Sequence, residues 1–162
     1  MVTITLPKTI FEVLRKISKE RDMTIDEYLT EVVIQNIDPQ ERTREYIAAA
    51  LELMEQAEEE FKKGDLRQAS KKIWGAATLA IKAYAYAKEG RRLSSHGELW
   101  EYKSKVAEEL GDWVHDAWAH ANGMHANYYE GWADKESVEI ALQRVKVLVK
   151  KIAQELNLQV GR

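Results

Sequence analysis

The sequence predicts an all-α protein in two parts: a short strand-helix-helix unit over residues 1–37 and a helical bundle over residues 38–162. Apolar residues recur at three- and four-residue spacing through nearly the whole chain, the period of an amphipathic helix. Helix-starting and helix-stopping residues punctuate that pattern at regular intervals. Strict alternation, the period of a strand, is confined to the first residues.

Val2, Ile4 and Leu6 alternate with Thr3 and Thr5, which predicts a strand. Pro7 sits where a first helical position costs it nothing, and Ile10, Val13, Leu14 and Ile17 then share one helical face. Asp22-Met23 makes a turn. Thr24 with Glu27 forms a capping box for a second helix carrying Ile25, Tyr28, Leu29, Val32 and Val33. Asn36 to Pro39 ends that helix and links it to the bundle. Asp38-Pro39-Gln40-Glu41 starts a long helix to Gly64, and Asp65 with Gln68 caps the next, which Gly90 stops. Ser95 with Glu98 caps a shorter helix. Gly111-Asp112 breaks the chain before a helix with Trp113, Val114, Ala117, Trp118 and Ala121, reaching the region of Met124. Gly131 to Asp134 is the last break, and Val138, Leu142, Val145, Leu148, Val149 and Ile152 mark the final helix. Gly75, inside a helical pattern, predicts a close helix contact.

Composition narrows the function classes. Hydrophobic residues are 45% and charged residues 31%, which suits a folded globular chain. The net charge of −3 gives no overall basic excess for nucleic acid. The absence of cysteine excludes disulfides and thiolate metal sites. No apolar run approaches the roughly 20 residues of a membrane span, so no membrane partner is expected. No basic stretch precedes an apolar one at the N-terminus, so a cytoplasmic location is expected. Lys and Glu richness without cysteine fits a thermophile. Charge is uneven: residues 65–105 carry nine basic and four acidic side chains, whereas 106–134 carry six acidic and no Lys or Arg. The two segments suit neighbouring helices, or the basic one suits a phosphate-bearing ligand.

All four histidines lie between 96 and 125, three of them spaced by five: His115, His120 and His125. Five residues turn about 500°, or 140° net, so these side chains splay and cannot share one ion. No metal site is expected from them, and no cofactor motif occurs. Asp116 and His120 share a face, as do Asn122 and His125, with Tyr129 one turn on. The polar cluster His125, His120 and Asn122 is either a register-fixing hydrogen-bond network or a site with His125 as general base or phosphate donor. There is no Ser/His/Asp triad and no Gly-rich phosphate cradle, so the sequence leaves open whether this is an enzyme. Gln68, Lys72, Trp74, Lys82 and Tyr84 on one helix, and Ser95, His96, Glu98, Trp100 and Tyr102 at the next turn, either interleave aromatics with basic residues to stack bases and hold phosphates or, as Trp and Tyr at helical spacing more often do, fill the core.

The N-terminal unit resembles a ribbon-helix-helix module, on Thr3-Ile4-Thr5-Leu6-Pro7 and the two capped helices through Ile34. The resemblance implies a homodimer, an even-numbered assembly, joined through residues 2–6. It also implies that Thr3 and Thr5 would face DNA bases and that the helix start near Thr24 would hold a phosphate. Residues 1–38 carry five basic and seven acidic side chains, so DNA is the less expected partner.

The helix order of 39–156, with an Asn/His-bearing penultimate helix, resembles the HEPN superfamily of helical bundles linked to RNA cleavage or nucleotide binding. Several phrases resemble the archaeal PaREP family more closely: Gly64-Asp65-Leu66-Arg67-Gln68-Ala69-Ser70, Lys72-Ile73-Trp74-Gly75-Ala76, Lys82-Ala83-Tyr84-Ala85, Ser95-His96-Gly97-Glu98-Leu99-Trp100, Met124-His125 and Tyr129-Glu130-Gly131-Trp132. HEPN ribonucleases carry an Arg, four to six residues, then a His, and act as dimers. Here His125 fits the His, His120 stands in the Arg place, and no Arg occurs from 93 to 143. The resemblance therefore implies an RNA- or nucleotide-binding HEPN-like dimer without strong catalysis, in a toxin–antitoxin-like or defence setting. His125, Asn122 and His120 would be its polar centre, with Lys82, His96, Tyr84 and Tyr129 as ligand contacts. The alternatives are a ribonuclease of the same fold and a DNA-binding or assembly regulator acting through the N-terminal unit.

Overall fold

The computed structural model describes residues 2–157; Met1 and residues 158–162, which the predicted boundaries include, lie outside the described residues. The described residues form helices α1 (Lys8–Glu20), α2 (Ile25–Gln35), α3 (Pro39–Lys63), α4 (Leu66–Glu89), α5 (His96–Leu110), α6 (Trp113–Glu130) and α7 (Lys135–Glu155). They group into two compact units, Met1–Asp38 and Pro39–Arg162.

The first unit corrects the sequence reading. Residues 2–6 form no strand, and no strand occurs among the described residues. The alternation is present, but a strand also needs a neighbour to take its N–H and C=O groups. Val2 is 92% exposed, and among the described residues of the unit there is no other strand to pair with it. The unit is thus a helix pair preceded by an irregular segment, and no ribbon presents Thr3 and Thr5. The rest of the unit follows from its caps. Asp22, at φ 53°, turns the chain after α1. Thr24 then accepts a hydrogen bond from the Glu27 backbone N–H at 3.2 Å and starts α2.

The second unit is built around α4. Every residue from Ile73 to Ala85 is buried, which is what a helix apolar on all sides requires. Its alanines let neighbours approach on each face, and α3, α5, α6 and α7 all pack against it. At Gly75 an added Cβ would lie 3.0 Å from a Leu53 methyl, so α3 and α4 meet closely there, as the sequence suggests. Asp65 accepts from the Gln68 N–H at 3.1 Å to begin α4, and Gly90, left-handed at φ 61°, ends it. The inner face of α7, Val138, Leu142, Val145, Leu148, Val149 and Ile152, closes the core, each such side chain contributing about 1.5–3 kcal/mol by burial.

Candidate functional site

Three helices of the second unit bring rings together at one place. Trp74 is 2% exposed near the middle of α4. Ser95 accepts from the Glu98 N–H at 3.1 Å, which fixes the start of α5 and makes His96 its first residue. On α6, Val114, Ala117, Trp118, Ala121 and Met124 face inward, and that rotation sets His125 at the edge of the buried face. The His96 ring stacks on Trp74 at 5.2 Å and 24°. The His125 ring lies 4.6 Å from Trp74 and 5.5 Å from His96. Both imidazoles are half-buried.

The cluster continues in two directions. Outward, Tyr129 stands edge-on to His125 at 5.7 Å and is 50% exposed; Tyr128 follows at 4.9 Å, with the Lys71 ammonium 5.6 Å from its ring. Inward, Trp118 lies 5.2 Å from Trp74 and is wholly buried. Trp100 meets Trp118 edge-on at 6.0 Å, and Lys103 caps that end, 4.7 Å from the Trp100 ring and 3.1 Å from His115 Nδ1. Burial pushes the Lys103 amine below the usual lysine range.

A polar brace holds α6 in register behind the rings. Asn127, 1% exposed, donates to Ser70 Oγ at 2.8 Å, and its carbonyl accepts from the Ala133 N–H at 2.7 Å. Arg67 donates to the Tyr128 carbonyl at 3.0 Å and also to that of Tyr129. A cation there satisfies the open carbonyls at the C-terminus of α6 and matches the negative end of its dipole. A cleft of about 510 Å³ lies beside this brace, lined by Lys63, Asp65, Arg67 and Asn127 among others.

The residues singled out from sequence do not all meet. His96, His125 and Tyr129 do. His120 turns to Asp116 at 3.6 Å, whose other oxygen takes Arg144 of α7 at 3.0 Å. His115, His120 and His125 thus have three different sets of neighbours, as their splay requires. Asn122 is half-buried one turn before His125. Lys82 is buried about 12 Å along the α4 axis from Trp74, and Tyr84 about 15 Å along it. Tyr84 donates to Glu109, and burial together with that carboxylate pushes its phenol above the ordinary range. Thr3 and Thr5 are exposed, and Thr24 is engaged in its cap. Ser70, Asn127 and Arg67 escaped the sequence reading as a set. The one local signal was Asn127 standing four residues before Gly131, where a helix stops and an amide can reach the following loop.

The profile of the archaeal PaREP1/PaREP8 family matches residues 45–149. The chain belongs to this family. The matched stretch runs from within α3 into α7 and holds every ring of the cluster together with the Ser70–Asn127 brace. Residues 2–44 of this PaREP1/PaREP8 member, including α1 and α2, lie outside the match. It matches no curated protein and no solved structure. Among the described residues no helix is long and apolar enough to cross a membrane.

Proposed function

We propose that the second unit is a HEPN-like bundle that binds RNA or a nucleotide at the Trp74–His96–His125–Tyr129 cluster, without strong catalysis. The observation that carries this reading is the convergence of two imidazoles on one indole, with the half-exposed Tyr129 ring beside them. A nucleotide needs a ring face for its base and hydrogen-bond donors for its phosphate. Tyr129 offers the first, and imidazole nitrogens with Lys71 nearby offer the second. Base–aromatic stacking contributes about 1–3 kcal/mol per base, so Tyr129→Ala should weaken binding roughly 5- to 150-fold. Because Tyr129 is exposed, that variant should melt close to the parent. Titration of nucleoside monophosphates and a short RNA, followed by tryptophan fluorescence and melting temperature, checks this. Equal affinity in parent and Tyr129→Ala would remove the cluster as the binding surface.

A second reading, association into a homodimer through the first unit, is favoured by a separate observation. Val2, Ile4, Ile10, Phe11, Val13, Val32 and Val33 are all exposed there, against four large exposed hydrophobics in the described residues of the second unit. A helix pair this small seldom builds a sufficient core by itself. A second copy would cover these faces of α1 and α2. Sedimentation of the full chain at micromolar concentration should give a dimer, and Phe11→Glu with Val33→Glu should give a monomer. A monomeric parent would end this reading and leave the ligand proposal untouched.

A further inference from the structure

The geometry points to a two-histidine chelate: His96 and His125 together bind a divalent transition-metal ion of the zinc, nickel or copper class. A ring nitrogen of one lies within 4.8 Å of a ring nitrogen of the other. A tetrahedral ion about 2.0–2.1 Å from each donor spans nitrogens roughly 3.4 Å apart. Both rings already lie against Trp74, at 5.2 and 4.6 Å, so little rotational freedom remains to be lost when an ion arrives.

Donor type selects the metal. Imidazole nitrogens suit zinc, copper and nickel, whereas magnesium and calcium prefer oxygen ligands. Two protein nitrogens leave the other coordination positions to water or another exchangeable ligand, so the bound ion would be open rather than closed off by the protein. The two residues come from different helices and are 29 positions apart in sequence. That is why the spacing of His115, His120 and His125 along α6 gave no sign of the pair. The inference does not depend on nucleotide binding, because the metal alone is the probe.

The chain suits a clean test, having four histidines and no cysteine. Untagged full-length protein is titrated with Zn²⁺ and with Ni²⁺ by calorimetry. The parent should bind one ion per chain. His96→Ala and His125→Ala should each weaken that binding at least tenfold, while His115→Ala and His120→Ala should bind as the parent does. If an alanine variant loses its helical circular dichroism, His96→Gln and His125→Gln take its place and should show the same loss. A parent isotherm with no binding, or binding that survives both variants of the pair, overturns the chelate. So does binding lost equally on changing His115 or His120. Nucleotide titration in the presence of a chelator reports on the proposed nucleotide site separately, so the two ideas can fail independently.

Discussion

Trp74→Ala is expected to cost the second unit about 3–5 kcal/mol, the usual loss for a large aromatic removed from a packed core. The indole is 2% exposed and lies 5.2 Å from the wholly buried Trp118 and 5.2 and 4.6 Å from the His96 and His125 imidazoles. Its removal opens a cavity that these rings cannot fill without leaving their own rotamers. Total stabilities are about 5–15 kcal/mol, so the loss should be plain in urea unfolding followed by circular dichroism. Trp74→Phe keeps a ring at the centre and should cost clearly less. The pair also separates two roles. If Trp74 only fills the core, Trp74→Phe restores most of the stability and leaves His96 and His125 in place. If it is also the platform for His96 and His125, contacts between the two imidazoles, 5.5 Å apart in the parent, should weaken in Trp74→Ala and persist in Trp74→Phe. A loss below about 1 kcal/mol for Trp74→Ala would show that the indole is not the packing centre.

The helices of the second unit were legible because local chemistry decides them. Asp65, Ser95 and Asp134 each cap the helix they precede, and Gly90 and Gly131 adopt the left-handed conformation that ends one. Gly75 was legible as a close contact because glycine inside a helix needs such a reason. The strand was not, because half of its requirement is a partner that no local pattern reveals. The site was legible only in part for a similar reason. Spacing along α6 could relate His120, Asn122, His125 and Tyr129 to one another, but it could not say which of them faces α5. Position then sorts them: His125 and His96 meet on Trp74, whereas His120 pairs with Asp116, which also takes Arg144 of α7. Lys82 and Tyr84 shared a helix with Trp74 in the sequence, but rise along that helix carries them away from the rings.

The brace at Asn127 should show the second large effect. Asn127→Leu removes the donor to Ser70 Oγ and the acceptor of the Ala133 N–H while placing an apolar side chain in the same volume. Ser70 Oγ keeps its bond to the Leu66 carbonyl at 2.7 Å, so the Ala133 N–H is the group left without a partner, and the variant should lose about 1–3 kcal/mol. Ser70→Ala should cost less, because it removes one partner of Asn127 and leaves the Ala133 contact in place. The double variant should be less destabilised than the two single losses added together, with a coupling of about 0.5–3 kcal/mol for side chains in direct contact. Asn127 also fixes the loop between α6 and α7, and it lies two residues before Tyr129. A loosened α6 end should therefore let Tyr129 leave its edge-on position against His125 before the rest of the bundle yields. In Asn127→Leu, amide exchange should accelerate from residue 127 to 133 under conditions where α4 stays protected. Uniform acceleration across the bundle would mean that Asn127 contributes to global stability without locally holding the ring cluster.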